Sequence, residues 1–181
     1  GITLSNTGTG VTVTGNSVTG ELPPPNTAQN GIQISSGAIA TVSNNIVSNN
    51  QCGAVGCGPG VADVWATGIL LFDAGAGTAI NNNAISGNDG GLVAVATTVG
   101  QSFSASGNTF SANRYANILA SALTLNLTGN TITGSNWGVV AQASSPANTV
   151  VNLSGGNVVS QAAAAGLTVF DDNLARSEER R

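Results

Sequence analysis

Both tryptophans, the only tyrosine and the only arginine ahead of the C-terminal segment sit at comparable points of this 181-residue chain, each just upstream of a short apolar run. Trp65 precedes Gly68-Ile69-Leu70-Leu71, and Asp89 precedes Gly91-Leu92-Val93-Ala94. Arg114 and Tyr115 precede Ala116-Asn117-Ile118-Leu119, and Asn136 and Trp137 precede Gly138-Val139-Val140. Rings interleaved with carboxylate, guanidinium and amide groups suit a sugar, since aromatic faces lie against pyranose C–H groups while polar groups bond the hydroxyls. Trp65, Asp89, Arg114, Tyr115, Asn136 and Trp137 are therefore candidate ligand-binding residues, with polysaccharide as the expected partner. A plainer arrangement uses the same residues: Asp89 and Arg114 as a surface ion pair of little energetic weight, with the aromatics covering exposed strand edges.

Catalytic chemistry has few other places to reside. Asp63 and Asp89, with Arg114 beside them, are the one carboxylate pair that could approach each other at this edge and divide general-acid and general-base roles. Leu71-Phe72-Asp73 and Val169-Phe170-Asp171 resemble each other and suggest another pair. Their carboxylates fall four repeats apart, roughly 19 Å at one strand spacing per repeat, whereas glycoside hydrolysis needs them within about 10 Å. The chain has no histidine, so Ser–His–Asp and Cys–His arrangements are excluded, and no cofactor is expected. Cys52 and Cys57 lie among glycines with four residues between them and suit a small disulfide loop in an oxidising compartment. Free thiols are the alternative; a metal site would need ligands that the sequence does not offer, and none is expected.

These residues are carried by a repeat. Leu123-Thr124-Leu125-Asn126-Leu127-Thr128 runs into Asn130-Thr131-Ile132-Thr133-Gly134 and then Trp137-Gly138-Val139-Val140: an alternating strand, an Asn corner, one apolar residue two positions on, a polar turn, and a second short strand. Corner asparagines recur at Asn16, Asn45, Asn83, Asn108, Asn130 and Asn157, each followed two residues later by Val18, Val47, Ile85, Phe110, Ile132 or Val159. Val13, Val42, Ile80, Ala105 and Leu127 sit three residues before the first five, while the sixth unit carries an extra residue at Gly155-Gly156, read as a bulge. Opening strands begin at Gly1, Gly31, Gly68, Gly91, Ala116, Gly138 and Gly166, which are 30, 37, 23, 25, 22 and 28 residues apart. The shortest interval is about one solenoid coil and the longer ones carry loops. A two-strand coil cannot cover its own apolar face, but a copy above and below can, roughly 4.8 Å away as parallel strands. The corner asparagines are then expected to hydrogen-bond up the stack as a ladder and to tolerate left-handed backbone angles.

This signature, clearest in Asn83-Ala84-Ile85-Ser86-Gly87-Asn88 and Asn108-Thr109-Phe110-Ser111-Ala112-Asn113, resembles the right-handed parallel β-helix repeat family with the pectate-lyase-like fold. The resemblance covers residues 1 to 172 and implies an all-β solenoid of about six to seven coils. It carries little about function, because that architecture hosts lyases, hydrolases, epimerases, adhesins and tail spikes. It implies for lyases a basic residue beside calcium held by several Asp, and for polygalacturonases an Asp trio with His, Arg and Lys motifs; neither pattern occurs in this sequence.

Only 7% of residues are charged, there is no lysine, and the net charge is −4. Binding to nucleic acid or to an anionic membrane surface is not expected, and no apolar run approaches the 18 residues of a membrane-spanning helix. Solubility rests on Asn, Ser, Thr and Gln, as on extracellular repeat surfaces, so a secreted or cell-surface location is expected. Asn126-Leu127-Thr128 and Asn152-Leu153-Ser154 match the N-glycosylation acceptor pattern on outward strand positions. Glu21-Leu22-Pro23-Pro24-Pro25-Asn26 reads as a stiff polyproline-like surface loop. Residues 173–181 form a charged cap or tail, helical or disordered, over the last coil. The chain opens on Gly1-Ile2 inside a strand, which points to a piece of a longer precursor, with the rest of that parent chain or another copy covering the N-terminal end. The sequence therefore reads as a non-catalytic β-helical module, a structural spacer or adhesin-like domain that binds polysaccharide. The alternatives are a carbohydrate-active lyase or hydrolase, or a fragment of one, and a self-assembling coil-stacking module.

Overall fold

In the computed structural model, residues 1–6, 8, 10–21, 27–53, 65–143 and 147–171 are described. Every strand pairing among them is parallel and joins one coil to the next. The first sheet has seven strands: Ile2–Ser5, Asn30–Ser35, Thr67–Phe72, Gly90–Val95, Ala116–Ser121, Trp137–Ala143 and Ala165–Asp171. The second has six: Val11–Thr14, Ala40–Ser43, Ala79–Asn81, Ser102–Ser106, Thr124–Thr128 and Val150–Ser154. The third also has six: Ser17–Thr19, Ile46–Ser48, Ala84–Ser86, Thr109–Ser111, Thr131–Thr133 and Val158–Ser160. A coil thus has three strands, not two. The short polar segment after each corner Asn is itself a three-residue strand with one inward side chain.

Inward side chains line up in columns. Val13, Val42, Ile80, Ala105 and Leu127 pair in register through the second sheet, and Val47, Ile85, Phe110 and Ile132 through the third, all buried. In the first sheet Ile32, Ile69, Leu92, Ile118 and Val139 are fully buried and in register. Removing such side chains from water, at roughly 25 cal/mol per Å² of apolar surface, drives the stacking. Where the stack ends, the columns open: Leu153, Val159 and Leu167 are 43%, 36% and 53% exposed.

The six corner asparagines form a continuous ladder. Asn45 donates from its backbone N and from Nδ2 to Asn83 Oδ1, both at 2.9 Å, and its second Nδ2 hydrogen goes to Val13 O at 3.0 Å. The same pattern joins Asn16 to Asn45, Asn83 to Asn108, Asn108 to Asn130, and Asn130 to Asn157. The left-handed backbone angles fall one residue earlier than expected, on Gly15, Asn44, Asn82, Gly107, Gly129 and the Gly155-Gly156 pair. The ladder residue must keep ordinary angles to aim its amide inward, so the turn strain passes to its neighbour. The extra glycine of the sixth unit sits in this corner, and the pairings of Leu127 with Leu153 and of Ile132 with Val159 on either side are kept.

A second ladder runs along the next corner. Asn50 donates from N and Nδ2 to Asn88 Oδ1 at 3.0 and 2.8 Å, and Asn88 does the same to Asn113 Oδ1 at 3.0 and 3.0 Å. These rungs explain the opening glycines: a Cβ on Gly31, Gly68 or Gly91 would meet the Nδ2 of Asn50, Asn88 or Asn113 at 2.8 Å. The fifth coil solves the same corner differently. The pairings of Leu92 with Ile118 and of Ile118 with Val139 put Asn117, not Ala116, in the glycine slot, and Ser135 in the ladder slot. The smaller Ser leaves room for the Asn117 side chain, which accepts from Asn113 Nδ2 at 2.7 Å and donates to Ser135 Oγ at 2.8 Å. The rung is preserved although its residue has moved 18 positions back along the sequence.

Candidate functional site

The outer face of the first sheet positions the candidate edge. Its strands are apolar at consecutive positions, as in Ile69-Leu70-Leu71 and Ile118-Leu119-Ala120, a pattern that marks strands covered on both faces. Val93, Leu119 and Val140 point outward in one register column, yet they form a second buried cluster with Ala116. Trp65 and Trp137 pack against this cluster together with Leu70 and Val95. The tryptophans therefore roof a patch that would otherwise be wet.

Trp65, Tyr115 and Trp137 are each half-buried, Asn136 is exposed, and the Arg114 side chain is 50% exposed. The Trp65 and Tyr115 rings pack tilted at 51° with centroids 5.7 Å apart, and the Arg114 guanidinium lies 4.8 Å from the Tyr115 centroid, a cation–π distance. Trp137 meets Phe170 edge-on at 6.0 Å. Backbone bonds fix the order of the corners: Tyr115 N donates to Asp89 O and Trp137 N to Tyr115 O, both at 2.9 Å.

Asp89 is the electrostatic centre of the edge. Its side chain is fully buried; Oδ2 accepts from Cys52 N at 2.9 Å and Oδ1 from Arg114 at 3.4 Å. Burial raises its pKa above the usual carboxylate value, and the Cys52 amide, the Arg114 charge and the Ala66 amide pull it back down. Asp63, its proposed partner, lies outside the described residues, as do Cys57, residues 22–26 of the proline-rich loop and the segment 172–181. Cys52 is buried and disulfide-bonded.

Asp73 and Asp171 are four strands apart in the first sheet, through the pairings of Phe72 with Val95, Val95 with Ser121 and Ser121 with Gln142, and of Ala143 with Asp171. Asp73 acts locally, its carboxylate accepting from Thr97 N at 2.6 Å and Thr97 Oγ1 at 2.7 Å in the following coil. Asn126 and Asn152, the acceptor-pattern asparagines, bond to each other at 2.9 Å on the outside of the second sheet. Among the described residues, no three His, Cys, Asp or Glu side chains come together in a metal-binding arrangement.

A family model described as right handed beta helix region matches residues 1–154. The chain belongs to that family. No curated protein and no solved structure matches it. Within this β-helix, reading the sequence alone missed, besides the third strand of each coil, the second ladder and the buried outer cluster that seats the tryptophans. Both left traces, in the five-residue spacing of Asn45-Asn50, Asn83-Asn88 and Asn108-Asn113, and in the unbroken apolar runs of the opening strands.

Proposed function

We propose that this β-helix is a non-catalytic module of a secreted or cell-surface protein, a spacer or adhesin-like domain that contacts polysaccharide along its aromatic edge. The observation that carries the reading is the state of Asp89. Fully buried, with one oxygen on the Cys52 amide and the other on Arg114, it is spent on joining coils and offers no proton to a ligand in solvent. What the edge does offer is partly exposed Trp65 and Trp137, with the exposed Asn136 and the half-exposed Arg114 side chain beside them. Such a surface can stack on sugars and bond their hydroxyls without bond-breaking chemistry.

The test is a glycan-array and polysaccharide pull-down screen of the wild type beside Trp65→Ala and Trp137→Ala, with each bound glycan then assayed for new reducing ends and unsaturated products. The expected result is binding that both substitutions weaken, with no turnover. Turnover abolished by Asp89→Asn would replace this reading with a carbohydrate-active enzyme. Absence of binding to any glycan would leave the spacer role alone, and concentration-dependent elongation in solution would favour a stacking module.

A further inference from the structure

We propose that Asp89 and Arg114 form an acid-released latch: with Asp89 ionised, Arg114 is held and neutralised over Tyr115, and with Asp89 protonated, Arg114 is freed to bind an anionic glycan. The proposal rests on the polysaccharide-edge reading and adds to it the ligand's charge and the condition under which it binds.

The geometry has three parts. The carboxylate is buried between successive coils, facing the Cys52 and Ala66 amides on one side and Arg114 on the other. Among the described residues Arg114 is the one charged group facing it, and the disulfide-bonded Cys52 does not titrate. Arg114 is half-exposed and spans two partners, with Asp89 Oδ1 at 3.4 Å and the Tyr115 ring at 4.8 Å. Among the described residues it is the only basic side chain, so its pairing sets the positive charge that the described part of the edge presents. Burial raises the Asp89 pKa, so the latch opens at a higher pH than an exposed aspartate would set. Once neutral, Asp89 keeps its place through its backbone bonds to Asn50 and Tyr115, while among the described residues Arg114 retains the Tyr115 ring as its partner. A sulfate or carboxylate can then replace the lost carboxylate as a forked partner.

The probe is dextran sulfate, whose charge is constant across the range, with plain dextran as the neutral control, both at fixed ionic strength. Wild-type affinity for dextran sulfate is expected to rise about fivefold from pH 7 to pH 4, the ratio of a weak ion pair made and broken. Asp89→Asn is expected to bind at pH 7 as tightly as the wild type does at pH 4, Arg114→Gln weakly at both, and Asp73→Asn like the wild type. Equal affinity of Asp89→Asn and wild type at pH 7 would overturn the latch. Should Asp89→Asn not fold, a wild-type NMR titration decides: the Asp89 carboxyl carbon and the Arg114 Nε resonance must move with one midpoint, and an Arg114 signal indifferent to Asp89 sinks the proposal. That titration needs no glycan, so failure of the latch is separable from failure of the sugar edge, which plain dextran and the glycan screen report.

Discussion

Moving the second ladder's displaced rung back to its usual place gives a sharp test of what holds the coils together. Asn117→Gly alone removes the acceptor of Asn113 Nδ2 at 2.7 Å and the donor to Thr133 O and Ser135 Oγ at 3.1 and 2.8 Å, in a corner where Asn113, Asn117 and Ser135 are buried. Buried groups left unpaired cost about 1–3 kcal/mol each, and a strand glycine adds about 0.5–1 kcal/mol. With partial relaxation, a loss of about 2–4 kcal/mol is expected. Ser135→Asn alone drives a larger side chain into the volume that Asn117 fills and should cost about 1–3 kcal/mol. The double substitution recreates the Gly-and-Asn pairing of Gly91 with Asn113, whose amide sits 2.8 Å from the Cβ a larger residue would carry there. Its stability should lie within about 1 kcal/mol of the wild type, a coupling of at least about 2 kcal/mol. Urea unfolding of the four proteins, followed by tryptophan fluorescence and circular dichroism, measures the cycle. A double variant no more stable than the sum of the singles would show that the exchange is not a rung and that Asn117 packs for another reason.

Further perturbations probe the same architecture. Gly68→Ala places a Cβ 2.8 Å from both Asn88 Nδ2 and Ile85 Cγ2 and 2.9 Å from Gly91 O, and should destabilise by about 1–3 kcal/mol, whereas Gly8→Ala, with nothing within 4 Å, should be near neutral in the same denaturation assay. Phe110→Ala empties a fully buried position and should cost about 3–5 kcal/mol, against far less for Phe170→Ala at 42% exposure. Because the folded Asp89 pKa is raised, its linkage has the opposite sign to that of a salt-bridged aspartate. The native state binds the proton first, so this group adds stability as pH falls through its folded value, and the gain levels off below the unfolded one. Stability-versus-pH curves of wild type and Asp89→Asn should therefore converge from neutral pH toward acid, and curves that diverge would contradict the burial argument.

The repeat frame was legible because two signals coincide at every corner: an Asn, and an apolar residue at fixed offsets on both sides. The third strand escaped notice because Thr131–Thr133 and its counterparts are three residues long, so alternation has a single inward beat and no period to detect. Asn117 shifted the fifth opening strand by one residue because the glycine expected there had been exchanged, together with its partner at Ser135, and only the pairing register reveals the compensation. Asp89, Arg114, Tyr115 and the tryptophans were placed on one edge by their offsets alone. Ring tilt, the burial of Asp89 and its bond to the Cys52 amide depend on contacts between coils that no spacing within one coil specifies.

The corner between the third strand and the next opening strand varies from three residues (87–89) to eighteen (49–66), while the opening strands on either side stay in register. Coil closure there is set by strand pairing and ladder bonds, so the chain between is free to lengthen at small entropic cost, roughly 0.6 kcal/mol for each doubling. That corner is thus a port at which a peptide or a folded guest can be spliced without disturbing the stack. Since successive ports lie one strand spacing apart, about 4.8 Å, guests inserted in chosen coils would be displayed along a single line at intervals set by counting coils.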